Sequence, residues 1–186
     1  MDVVDEERLC RRTPVRRHWV KLTDCAEPSG IARRHVREAL EGRASPERVD
    51  DAVLVASELV GNALRHTAGG PDCMCVEVYS DAAVLRVHDA GRDASRVRAR
   101  SAGVSLDELT DSGLGLLLVG ELASGWSVLS TAIGKEVVVV LALGAGGLSE
   151  WDVLAYIPAV RPPLTAKFHQ LDGRNGEFDG RPSAES

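Results

Sequence analysis

At 186 residues the chain has room for one ordinary domain with a sizeable core and some spare length at its ends, which excludes two large domains. Apolar residues make up 44% and charged residues 27%, as in globular proteins, but aromatics reach only 4%, so Val, Ala and Leu must fill the core. A formal charge of -6 argues against a general affinity for nucleic acid, although arginine is locally dense at 11–17 and 92–100.

The opening residues, MDVVDEERL, are acidic where a signal peptide is basic and then apolar. The longest apolar run, Val137 to Leu143, is far shorter than the roughly 20 residues of a membrane helix. The expectation is a cytoplasmic protein that binds neither a membrane nor nucleic acid directly. Cys10, Cys25, Cys73 and Cys75 form no C-x-x-C pair and no disulfide framework, so reduced structural thiols are expected.

In chain order, residues 1–14 read as a flexible arm, and RRHWVKL at 16–22 alternates as a first strand. Pro28 and Ser29 start a first helix that Gly42 stops. Ser45 before Pro46 reads as an N-cap with proline at the first helical position, opening a second helix to about His66, roughly 30 Å long. Cys73 to Tyr79 and Val84 to His88 are strands joined by a short turn, with Asp89 at the tip.

Residues 90–112 carry little apolar periodicity and read as a long loop, a feature that in a compact domain is usually functional. Gly113-Leu114-Gly115 opens a third helix. Trp126 to Thr131 and Glu136 to Leu143 follow as strands, the last containing an unbroken Val137–Leu141 run. Residues 148–186 read as a partly disordered C-terminal extension that docks through Trp151, Tyr156 and Phe168, leaving 15–147 as the domain. His18, Trp19 and Trp126 are expected to be packing residues.

The second helix carries the chemistry. Ala52, Val53, Ala56, Val60 and Ala63 form an apolar stripe, whereas Glu58, Asn62 and His66, spaced four apart, form a polar one. A carboxylate, an amide and an imidazole on a partly buried helix are costly without partners, and a bound ion and ligand would satisfy them. The Asn62 side-chain oxygen suits Mg²⁺, which takes phosphates as further ligands. Glu58, one turn earlier, is placed to deprotonate a nucleophile attacking a terminal phosphate.

Asp89-Ala-Gly91 puts a carboxylate at a strand tip beside a residue that lets a ligand approach the backbone, and such an acid can accept from an adenine amino group. Gly113-Leu114-Gly115 stands at a helix N-terminus, where free amides and the helix dipole favour phosphate. His66 either touches phosphate or caps its helix.

The order of these features is specific: a helix with E-x-x-x-N, a strand ending in D-x-G, a long loop, G-x-G opening a helix, and a closing strand after Gly134-Lys135. It resembles the GHKL ATPase superfamily of gyrase, Hsp90, MutL and histidine kinase catalytic domains over roughly residues 15–143. SELVGNALRH is most similar to the small bacterial anti-sigma-factor serine kinase branch.

The resemblance implies an α+β fold of Bergerat type, a two-layer α/β sandwich whose mixed, mostly antiparallel sheet carries helices on one face. It implies ATP and Mg²⁺ as cofactors, Glu58 as catalytic base, Asn62 as metal ligand and Asp89 as adenine contact. Gly91, Gly113, Leu114, Gly115 and Lys135 would line the nucleotide with Asn62 and His66, and residues 92–112 would be the ATP lid. The implied partners are a sigma factor and a STAS-domain antagonist that receives the terminal phosphate on serine, with a homodimer as the implied assembly.

Two positions depart from the family pattern. Asp93 stands where many members have a second glycine, and Glu136 where many have threonine, which implies a carboxylate near the adenine pocket. Two other readings stay open: a non-catalytic ATP-responsive binding module, and a detached histidine kinase catalytic domain.

Overall fold

The computed structural model describes residues 13–91 and 114–157. The chain begins with strand β1 (Arg16–Lys21), followed by helices α1 (Pro28–Leu40) and α2 (Pro46–His66). Strands β2 (Pro71–Val78) and β3 (Ala82–Asp89) come next, then α3 (Leu114–Leu122), β4 (Gly125–Ser130), β5 (Lys135–Ala142) and α4 (Glu150–Tyr156).

Local chemistry explains the helix starts. Ser45 accepts from the Arg48 amide, with Pro46 in the first turn, where its missing N–H costs nothing. Pro28 does the same for α1. In α4, Ser149 and Asp152 form a reciprocal capping box.

The strands form one sheet in the order β1-β2-β3-β5-β4, and every pairing is antiparallel. The sheet expected to be mostly antiparallel is thus antiparallel throughout the described residues. The two-layer α+β architecture is the one expected, with α1, α2 and α3 packed on one face.

That inner face contributes Met74, Val76, Val78, Leu85, Val87, Val137, Val139 and Leu141 to a core shared with Val36, Leu40, Val55, Leu59, Val60 and Val119. The apolar stripe read from α2 is buried as expected, at Ala52, Val53, Ala56, Val60 and Ala63. Because side chains alternate along a strand, the odd-numbered residues of β3 and β5 face the helices and the even-numbered ones face away.

The outer face is not bare. α4 lies on it, with Val153 and Tyr156 packed against Tyr79, Ala82, Val84, Val138 and Val140. Of the residues expected to dock this segment, Trp151 is 77% exposed and does not, whereas Tyr156 anchors α4 as expected, at 4.7 Å between ring centres from Tyr79. Trp19 is a second correction: it points to the outer face and stays 44% exposed. Trp126 packs on the inner core, and His18 meets His35 of α1 edge-on at 5.5 Å. Phe168 and the arm at 1–12 lie outside the described residues.

Beneath α4 the outer face holds a buried ionic cluster. Arg86 Nε donates to Glu77 Oε2 at 3.0 Å and Nη1 to Glu136 Oε2 at 3.3 Å, while Arg17 Nη2 reaches Glu77 Oε1 at 2.7 Å. Arg86 Nη2 also donates to the Tyr156 carbonyl at 3.3 Å, tying the end of α4 to the sheet. Cys75 and Cys73 share this face, and burial pushes their thiols up to about 12 and about 11, which keeps them protonated at neutral pH. Among the described residues no group of three or more His, Cys, Asp or Glu side chains is arranged to hold a metal, and no helix is long and apolar enough to cross a membrane.

Candidate nucleotide site

The C-terminal half of α2 runs beside the end of β3 and the start of α3, and the expected site residues gather along it. Asp89 ends β3 on the inner face, almost fully buried. Its Oδ1 accepts from Thr67 Oγ1 at 2.8 Å, from the Gly91 amide at 2.9 Å and from Lys135 Nζ at 2.6 Å.

Each donor has a structural cause. Thr67 is the residue that closes α2, so helix and strand meet at this carboxylate. Lys135 opens β5 directly opposite Asp89 in the antiparallel register, which puts both side chains on one face. Gly134 precedes it because a Cβ there would run into the Asp89 backbone. Gly91 is equally constrained: a Cβ would lie 2.7 Å from Lys135 Nζ and 2.8 Å from both Asp89 Oδ1 and Thr67 Oγ1.

Glu58 and Asn62 sit further back on α2, one turn apart, and both are partly buried. Arg65 joins them: its Nη2 donates to Asn62 Oδ1 at 2.8 Å and lies 3.7 Å from Glu58 Oε2. Asn62 Nδ2 is buried with no hydrogen-bond partner among the described residues. Gly115, in the first turn of α3, is buried against Glu58, and a Cβ there would collide with the Glu58 carboxylate.

The structure therefore brings Glu58, Asn62 and Gly115 into one cluster, and Asp89, Gly91 and Lys135 into another. Nine residues of chain, about 13 Å of helix rise, separate Glu58 from Thr67 at the second cluster. His66 ends α2 with its side chain exposed. Leu114 opens α3, and Gly113, Asp93 and the expected lid at 92–112 lie outside the described residues.

The donor set fits a hard cation and a nucleotide. Asn62 Oδ1 already accepts a cationic donor, its amide nitrogen is unsatisfied, and a carboxylate stands one turn away. At both glycines a side chain would press on a carboxylate of the site, Asp89 at Gly91 and Glu58 at Gly115.

Glu136 is a correction. The expectation of a carboxylate near the adenine pocket fails because residue 136 faces the opposite side of the sheet, where it bonds Arg86. The residue of β5 that faces the site is Lys135. Sequence reading also missed Thr67 and Arg65, although Thr67 directly follows the polar stripe of α2.

Comparison with known proteins gives the family. The family model of the histidine kinase-like ATPase domain matches residues 25–141, more than half of the chain, and the chain belongs to this family. It is thus an ATP-binding type of domain, and the superfamily resemblance read from the motifs is the right one.

Among solved structures, the RsbU and RsbW domains of a Mycobacterium tuberculosis protein share the fold, with a TM-score of 0.50 at 18% identity over 72% of this chain and 34% of that one. The chain thus spans about a third of that structure's length. The SiaB-SiaC complex of Pseudomonas aeruginosa is similar at a TM-score of 0.48 and 15% identity, over 74% of this chain and 94% of that one. No curated protein matches the chain.

Proposed function

We propose that the chain is an ATP-dependent protein serine kinase that regulates a sigma factor in the cytoplasm, with residues 15–147 as its nucleotide-binding unit. The observation that carries this reading is the placement of two clusters along one stretch of α2, Glu58–Asn62–Gly115 at one end and Thr67–Asp89–Gly91–Lys135 at the other. Their separation is of the order of an extended nucleoside triphosphate.

In this reading Asp89 accepts from the adenine amino group, and Gly91, Gly113, Leu114 and Gly115 lie along the nucleotide. The N-terminus of α3 faces phosphate, where its free amides and dipole favour negative charge. His66 reaches the phosphates from the end of α2. Asn62 holds Mg²⁺, which when bound offsets charge on the phosphate oxygens.

Glu58 acts as base. Its carboxylate takes the proton of an acceptor serine hydroxyl as the serine oxygen bonds to the terminal phosphorus and the bond from that phosphorus to the bridging oxygen breaks, leaving phosphoserine and ADP. The SELVGNALRH segment, whose polar stripe is the site, supports a STAS-domain protein as acceptor and a sigma factor as the second partner, with a homodimer as the working assembly.

Incubation with labelled ATP and candidate STAS proteins tests the reading. Wild type transfers an acid-stable phosphate, and Glu58→Ala lowers the rate by about 100-fold or more. No transfer from wild type, equal transfer from Glu58→Ala, or an acid-labile phosphate on histidine removes it.

Arg65 favours a second reading. Its guanidinium already engages Asn62 and stands by Glu58, an arrangement suited to a module that binds ATP and changes partners without transferring phosphate. ATP turnover well above that of Glu58→Ala excludes this alternative.

A further inference from the structure

Lys135 is a buried charged group in the site that the reaction above does not use. It is 6% exposed, and a buried ammonium is costly to desolvate. Asp89 does not require it for hydrogen bonding, because Thr67 and the Gly91 amide already supply two donors to the same oxygen at 2.8 and 2.9 Å. An ammonium carries three N–H donors. One is spent at 2.6 Å on Asp89, whereas the other contacts, Thr67 Oγ1 and the Gly91 carbonyl, lie at 3.5 Å, the outer limit of a hydrogen bond. Two of the three N–H groups of Lys135 are therefore only weakly engaged beside the acceptor assigned to the adenine amino group, and Gly91 packs closely on the pair, since a Cβ there would lie 2.7 Å from Nζ and 2.8 Å from Asp89 Oδ1.

We propose that Lys135 is a second base-reading residue, donating to the ring nitrogen N1 of a 6-aminopurine while Asp89 accepts from the neighbouring amino group. The inference rests on the nucleotide-site reading and deepens it. An adenine edge presents a donor next to an acceptor, the complement of Asp89 next to Lys135. A 6-oxopurine presents the reverse, placing its oxygen against the carboxylate and its ring N–H against the ammonium. The pair thus selects adenine twice, once at each atom.

The test compares binding of ATP and 1-deaza-ATP, in which N1 is replaced by a carbon that cannot accept, to the full chain and to Lys135→Met, which keeps the stem and loses the donors. Wild type is expected to bind 1-deaza-ATP at least about 10-fold more weakly than ATP, as the loss of a charge-assisted hydrogen bond requires, and Lys135→Met to discriminate by less than about 3-fold. Asp89→Asn/Lys135→Met, which removes both buried charges, is expected to lose the discrimination as well and serves where the single variant does not fold. Equal affinity of wild type for the two nucleotides overturns the proposal, and so does a preference for ATP that survives in the variants. In either case ATP still binds wild type, so the nucleotide-site reading stands; wild type that binds neither nucleotide overturns both.

Discussion

Arg65 and Asn62 are joined by a 2.8 Å hydrogen bond that aims a guanidinium at the amide oxygen assigned to the metal. A cation thus already sits at this oxygen, and in the proposed site Mg²⁺ would compete with it for the same lone pairs. Wild type should gain roughly 2.7 kcal/mol of stability from ATP with Mg²⁺ at a ligand concentration 100-fold above Kd, and less from ATP alone at the same concentration. Asn62→Ala should respond alike with and without Mg²⁺. An Asn62→Ala protein that keeps the full Mg²⁺ increment in a melting experiment places the metal elsewhere.

Gly115 bears on Glu58, the base of the proposed reaction. A methyl group at this position runs into the Glu58 carboxylate, so Gly115→Ala must move either the base or the start of α3. Misplacing a reacting group by an ångström costs on the order of 100-fold in rate. Gly115→Ala should lower phosphate transfer by a factor of that order while ATP affinity changes far less, because Asp89 and its neighbours belong to the other cluster. Equal losses in affinity and rate, read from titration and single-turnover transfer, would count against this assignment.

The elements that gather the candidate site were legible in the sequence where chemistry is local. Ser45-Pro46 marked the start of α2 and the fourfold spacing marked its polar stripe. The D-x-G after a strand marked the buried acceptor, and the valine run marked β5. What stayed hidden depends on register. Whether Lys135 or Glu136 faces the candidate site is a one-residue question that only the pairing of Asp89 with Lys135 decides. Arg65 was hidden because its side chain reaches back along the helix, and the Arg86–Glu77 pair because charged residues in strands read as solvent-facing.

Glu136 tests that register directly. Its carboxylate bonds Arg86 on the outer face, away from the site. Glu136→Thr, which restores the residue common in the family, should leave ATP affinity within about twofold and lower stability by about 1 kcal/mol or more through Arg86. A gain in ATP affinity of about tenfold or more would place residue 136 in the pocket.

His35 gives the fold a pH dependence. Burial lowers its imidazole below the usual 6.5, and the charge of the adjacent His18 acts in the same direction with Arg34 adding to it, while a hydrogen bond with the His18 backbone and the charge of Glu38 oppose. Above pH 6.5 folded and unfolded chains both hold it neutral, so it has no pH-linked effect. As the pH falls below that value, the unfolded chain takes up a proton that the folded chain resists, and stability declines until the pH passes beneath the folded value. His35→Gln should therefore lose less stability than wild type between about pH 7.5 and about pH 5.5, as read from urea midpoints. An identical loss in both proteins would assign the acid sensitivity to other groups.

Arg86 separates stability from function most sharply. It is 3% exposed, bonded to two carboxylates and to the end of α4, and lies on the sheet face opposite Asp89. Arg86→Leu takes an ion-pair partner from Glu77, 1% exposed, and a hydrogen-bond donor from the Tyr156 carbonyl. Breaking a buried pair from one side typically costs about 3–5 kcal/mol, equivalent here to roughly 10 °C in Tm. Because the two faces share only the sheet, the folded fraction of Arg86→Leu should bind ATP with an affinity within about threefold of wild type. A large loss of affinity at a temperature where circular dichroism shows the variant folded would mean that the ionic cluster reaches through the sheet to the nucleotide.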